Sequence, residues 1–117
     1  MIRITFTDRD NILSLRLEGH AGYAEVGKDI VCASASILAY TVAQFVMEAE
    51  HRGDLVTPAQ ICLNPGNATV ACEPIKEAFP TLQSVYAFAE MGYSLLAHNY
   101  PAHITLFTDV EAKEAFT

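Results

Sequence analysis

Apolar residues occupy every second position in two opening stretches: Ile2, Ile4 and Phe6 alternate with Arg3, Thr5 and Thr7, and Leu13, Leu15 and Leu17 alternate with Ser14, Arg16 and Glu18. A period of two places every apolar side chain of a strand on the same face. With Asp8-Arg9-Asp10-Asn11 as the turn and Gly19 as the stop, the two runs read as a hairpin with one apolar side. A sheet of that kind requires a second layer to cover it.

The cover is written next in the chain. Val31, Ala35, Leu38, Val42, Phe45 and Ala49 recur at spacings of three and four, the mark of a helix over about 30–51, with Gly53 as its end. In LVTPAQICLNPGNATVACEP, Pro65-Gly66 occupies the two central positions of a turn and predicts a second hairpin. A second helix is expected over about 75–98, carrying Phe79, Leu82, Tyr86, Ala89, Tyr93 and Leu96 inward. Pro80 offers the alternative that Glu73 to Phe79 is a turn and the helix starts there. Ile104, Leu106 and Phe107 suggest a last strand near 102–108. The order ββαββαβ predicts an α+β two-layer sandwich, both helices packed on one sheet face, as a single domain over 1–117.

With 117 residues, 51% of them hydrophobic, the core needs neither disulfides nor a structural metal. A formal net charge of −7 argues against direct nucleic-acid binding or attraction to anionic membranes, and favours a basic peptide partner. MIRITFTDRD has no export-signal pattern, and no run approaches the roughly 18 consecutive apolar residues of a membrane span. The expectation is a soluble, cytoplasmic protein whose three cysteines are free thiols.

Those three cysteines differ. With Asn64 and Asn67 flanking the turn, Cys62 falls opposite Thr69 and Cys72 opposite Ala59, and alternation points the two thiols to opposite faces, so no bridge forms and both are read as small buried hydrophobes. Cys32 follows Gly27-Lys28-Asp29-Ile30-Val31. Asp29 reads as the helix N-cap, which leaves Cys32 at the third helical position, where unpaired amides and the positive end of the macrodipole favour a thiolate. His20, bracketed by Gly19 and Gly22, sits in a glycine-containing loop able to carry an imidazole to that sulfur. Asp29 serves equally as a cap or as the residue orienting His20, and Cys32 also fits as a small residue at a crowded helix start. His51, His98 and His103 are read as structural. No pair spacing for a metal, no phosphate loop and no dinucleotide fingerprint occurs.

At Gly19-His20-Ala21-Gly22-Tyr23-Ala24, followed by Gly27-x-Asp29-Ile30-Val31-Cys32-Ala33 and Ser36, the sequence resembles the ribosomal-processing cysteine protease family, Prp. The resemblance implies a cofactor-free Cys-His peptidase that removes the N-terminal extension of large-subunit ribosomal protein number twenty-seven by cutting after an aromatic pair. It makes Cys32 the nucleophile and His20 the general base, with Gly19, Gly22, Asp29 and Ser36 ordering the site or positioning substrate, and it implies a homodimer. Amides near Cys32 are expected to receive the oxyanion, and the loop over 20–28 to order on substrate. Two rival readings use the same residues: a non-enzymatic ribosome-assembly or peptide-binding module with the same groove, and a thiol-redox protein relying on Cys32 alone.

Overall fold

A computed structural model describes residues 1–25 and 27–110. Residue 26 of the expected loop and residues 111–117 of the expected domain lie outside the described residues. Strand β1 (Ile2–Arg9) pairs antiparallel with β2 (Ile12–Glu18), Ile4 opposite Leu17 and Phe6 opposite Leu15. The turn is shorter than expected. Arg9 still pairs with Ile12, and only Asp10 and Asn11 turn the chain, with φ of 53° and 65°. Two left-handed residues form the mirror-image turn whose twist matches the flanking strands, and Asp and Asn tolerate it best after glycine.

Helix α1 (Ile30–His51) then crosses the sheet to β3 (Gln60–Asn64), which returns through Pro65-Gly66 to β4 (Asn67–Cys72). Cys62 lies opposite Thr69, as the turn residues predict. Helix α2 (Phe79–Asn99) starts at Phe79 with Pro80 in its first turn, so the alternative start holds, because a proline's missing N–H has no partner to lose there. It leads into β5 (Ile104–Val110), which joins the sheet parallel to β1. The sheet order is β3-β4-β2-β1-β5, with both helices on one face.

Between sheet and helices lie Ile4, Leu15, Val31, Val46, Val70, Leu82 and Tyr93, all essentially inaccessible. Tyr93 Oη donates to the Ala35 carbonyl at 2.8 Å, and Phe6 packs edge-on against Tyr86. The face α1 lays on the sheet is Val31, Ala35, Ala39, Val42, Ala43, Val46 and Ala49. It is rotated from the expected one: Leu38 and Phe45 are half-buried on the flank toward α2. Alanines let the helix sit close to the sheet, while the bulkier pair fills the space between helices, where a Cβ on Gly92 would come within 2.9 Å of Leu38. Over 22 residues α1 is also long and apolar enough to cross a bilayer, which a search for unbroken apolar runs misses because Ser34, Ser36, Thr41 and Gln44 interrupt it.

Of the two thiols expected in the core only Cys72 is buried; Cys62, on the outer face of edge strand β3, is exposed. Burial pushes the Cys72 thiol up, only partly offset by the Tyr86 hydroxyl beside it.

Candidate active site

Strand direction assembles the site. The start of β1, the end of β2, the β3–β4 turn, the start of β5, the start of α1 and the end of α2 all come to one end of the sheet. The segment 19–29 spans that end from β2 to α1. Its described residues lie outside the strand pairings, so their backbone groups need other partners.

Asp29 supplies two of them, at Tyr23 and Ala24, and caps α1 as well. Oδ1 accepts the N–H of Val31 at 3.0 Å and of Cys32 at 2.9 Å, the two bonds of a helix cap. Oδ2 accepts the N–H of Tyr23 at 3.0 Å and of Ala24 at 3.2 Å. One carboxylate therefore starts α1 and folds the preceding loop around the helix start. Burial alone would raise its pKa, but the amides of Cys32, Ala24, Tyr23 and Val31 together outweigh it and hold the carboxyl below its ordinary value.

Cys32 occupies the third position of α1, half-buried, and the Ala21 N–H points to its Sγ at 3.4 Å. The same end of the sheet opens into a cleft of about 590 Å³, and Gly19, His20, Gly22, Asp29, Cys32 and Ser36 all line it. The six residues singled out by sequence thus meet at one cavity. Its remaining wall is largely apolar, with Leu17, Ala39, Tyr40 and Leu63. Of the three thiols, Cys32 alone faces this cleft.

The amides expected to be free at the helix start are in use. Val31 and Cys32 donate to the Asp29 side chain, and Ala33 donates to the Asp29 carbonyl at 3.0 Å. The donor left facing the sulfur comes from the loop, at Ala21. Nor is the imidazole already on the thiol: among the described residues no hydrogen bond joins the His20 ring to Sγ, and the ring rests against Gly66 of the β3–β4 turn.

Gly66 was legible only as a turn residue, yet it shapes the site. Its φ is +74°, a Cβ there would lie 2.7 Å from His20 Nε2, and its carbonyl accepts the Gly19 N–H at 2.9 Å. Gly66→Ala should therefore displace the His20 ring and lower peptidase turnover about tenfold beyond Gly53→Ala. That control has a φ of +81° with nothing within 4 Å of its Cβ, so it carries the same backbone strain without the collision. Equal kinetics for the two variants would show that Gly66 does not set the ring.

A second set of contacts was invisible locally. Tyr23 packs edge-on against Tyr100 and His103, at ring separations of 5.5 and 5.4 Å, and His103 Nδ1 lies 2.9 Å from the Ala21 carbonyl.

A family model described as cysteine protease Prp matches residues 1–105. The chain belongs to this family. Membership of the Prp family makes it a cysteine protease. No curated protein matches it. Among solved structures, SMU.848 from Streptococcus mutans is 29% identical with a TM-score of 0.67, covering 95% of this chain and 96% of that one. The essential ribosomal processing protease Prp from S. aureus, with a covalently linked product peptide, is 20% identical with a TM-score of 0.70 over 93% of this chain and 100% of that one. The same S. aureus protease with a substrate peptide gives 19% and 0.65 over the same shares. At those identities the S. aureus structures show that the Prp fold is shared.

Among the described residues no group of three or more His, Cys, Asp or Glu side chains is placed to hold a metal. What the cleft of this Prp family member offers is a sulfur at a helix start, an imidazole on the same cavity and an apolar wall beside them.

Proposed function

We propose that the chain is a single cytoplasmic peptidase domain that removes the N-terminal extension of large-subunit ribosomal protein number twenty-seven, cutting after an aromatic pair, with Cys32 as nucleophile and His20 as general base. The observation that carries the reading is the opening of both side chains onto one cleft, with the sulfur at the third residue of α1. The His20 ring leaves Gly66, takes the thiol proton and frees the thiolate to attack the scissile carbonyl carbon. As the tetrahedral intermediate collapses, the imidazolium returns that proton to the leaving amine and an acyl-enzyme remains. Water, deprotonated by the same imidazole, then attacks the thioester, and the sulfur leaves and recovers the proton.

The apolar wall suits aromatic side chains next to the cut, and the chain's net charge of −7 suits the basic N-terminus of a ribosomal protein. Asp29 orders the loop that carries His20, while Gly19, Gly22 and Ser36 border the substrate path. A peptide spanning the extension junction tests the reading. One cut after the aromatic pair, found by mass spectrometry and abolished when the pair is replaced by alanines, is the expected result. Cutting elsewhere, or none, overturns the substrate assignment.

The proposed homodimer has an apolar surface available to it: Ile37, Tyr40 and Phe88 are exposed around a groove of about 930 Å³ between the helices, and Met91 and Leu95 are exposed further along α2. Sedimentation equilibrium at twice the mass of one chain supports the pair, and a single-chain mass sinks it.

A further inference from the structure

We propose that His103, at the junction of α2 and β5, is a positioning residue for the Cys32 thiol: its Nδ1–H holds the Ala21 carbonyl and so keeps the Ala21 N–H aimed at the sulfur. The inference rests on the reading of Cys32 as nucleophile, and it gives a role to a residue whose place in the sequence marks it only as the lead-in to a strand.

Ala21 is the pivot. Its N–H points to Cys32 Sγ at 3.4 Å, its carbonyl lies 2.9 Å from His103 Nδ1, and the residue is 2% exposed. A carbonyl only accepts, so Nδ1 carries the proton in this contact. Only φ and ψ of Ala21 separate its carbonyl from its N–H, and with the residue buried among its neighbours, pinning the carbonyl restrains how far the N–H can swing off the sulfur.

The post that does the fixing is itself firm. His103 donates its own N–H to the Tyr100 carbonyl at 2.9 Å, and its carbonyl takes the Ile2 N–H at 2.9 Å. Its ring is met edge-on by Tyr23, with planes at 80°, and the same Tyr23 also meets Tyr100 edge-on. Thus the loop is gripped at several points: by Gly66 at the Gly19 N–H, by the Met1 amino nitrogen at the His20 carbonyl, by Asp29 at Tyr23 and Ala24, and by His103 at Ala21. Asp29 binds the part of the loop leading into α1, whereas His103 binds the residue that reaches the sulfur. With the amides of Val31, Cys32 and Ala33 already committed, the Ala21 N–H is the donor that faces Sγ and is placed to hydrogen-bond the thiolate that forms when His20 takes the proton.

Two substitutions separate the hydrogen bond from the packing. His103→Phe keeps an aromatic ring against Tyr23 and removes the donor; His103→Asn loses the ring and keeps an N–H close to where Nδ1 stood. Both are made in the full chain carrying Cys62→Ser, which removes the exposed thiol. Iodoacetamide alkylation of Cys32 is followed across pH, and kcat and KM are read on the cleavage peptide. His103→Phe is expected to slow alkylation at neutral pH and to lower kcat, each about tenfold, with KM changed less than about threefold, the loss of one hydrogen bond to a charged group. His103→Asn is expected to stay within about threefold of the parent in both, as a restored donor should. His103→Leu stands in for the phenylalanine variant if the latter fails to fold.

Alkylation at the parent rate in the donor-less variant overturns the proposal. So does a fall in the asparagine variant as large as or larger than that in the phenylalanine variant, because the ring's packing and not its donor would then carry the effect. If the precursor peptide is cut by no form while alkylation still separates the two variants, the substrate assignment fails and the positioning role stands.

Discussion

Replacing Cys32 with alanine is expected to lower cleavage of the precursor peptide by at least about a thousandfold, since Cys32 is the one thiol that faces the cleft. Cys72 is buried and its thiol pushed up, and Cys62 lies on the outer sheet face, so neither substitutes. KM should move little, because the walls that hold the peptide are untouched. His20→Ala removes the proton carrier and is expected to cost about 10²- to 10⁴-fold in kcat. Since both residues serve the same bond-making step, the double variant should be no slower than Cys32→Ala alone. The His20 ring rests on Gly66 in the free enzyme, so its contribution belongs to the substrate complex. Product formation measured by mass spectrometry checks all three variants. Cys32→Ala with more than a tenth of the parent rate, or losses that multiply in the double variant, would remove the dyad from the mechanism.

The elements were legible in the sequence wherever their signal is local. Alternation in β1 and β2, the Pro65-Gly66 turn and the proline-marked start of α2 each depend on residues a few positions apart, and register follows once a turn is placed. The face of α1 was harder. Periodicity weighted Leu38 and Phe45 as core because they are large, whereas the sheet takes the alanines and leaves the larger pair to the groove beside α2. Likewise the turn residues could not show that β5 would run parallel to β1, because a strand's neighbour is decided by where α2 delivers the chain.

The site divides the same way. Asp29 as cap, Cys32 in the first turn of α1 and the glycines around His20 are local features, and the family resemblance added roles to them. The second oxygen of Asp29 was not legible, because a capping carboxylate has the same neighbours in sequence whether it takes two amides or four. Contacts of Gly66 with His20 and of His103 with Ala21 join segments 46 and 82 residues apart, and no periodicity encodes them. The error about free amides at the helix start has the same origin. A sequence tells that the first N–H groups lack helical partners, but not which neighbours take them.

Asp29 carries the second large effect, on stability and activity together. Asp29→Ala removes the cap of α1 and the clamp on Tyr23 and Ala24, and leaves four donors short of a partner at a site where the side chain is 8% exposed. Loss of a cap with two further hydrogen bonds to a charged group is expected to cost about 3 kcal/mol. For a chain of this length that lowers the thermal midpoint by about 10 °C. Asp29→Asn divides the two functions: asparagine is a good N-cap through its one carbonyl oxygen, but its amide group then meets the Tyr23 and Ala24 N–H groups as donor against donor. It should lose about half as much stability as Asp29→Ala and nearly as much kcat, since the released loop is the one bearing His20 and Ala21. The sign of the pH effect follows from the depressed carboxyl. Its folded-state proton affinity is weaker than in the unfolded chain, so its stabilisation is fully present above the ordinary carboxylate value of about 3.9 and is lost as pH falls through the lower folded value. Thermal midpoints recorded from about pH 5 downward should therefore converge for the parent and Asp29→Asn as the carboxylate takes up its proton. Curves that stay parallel through that window would show that the charge of Asp29 does not hold the loop.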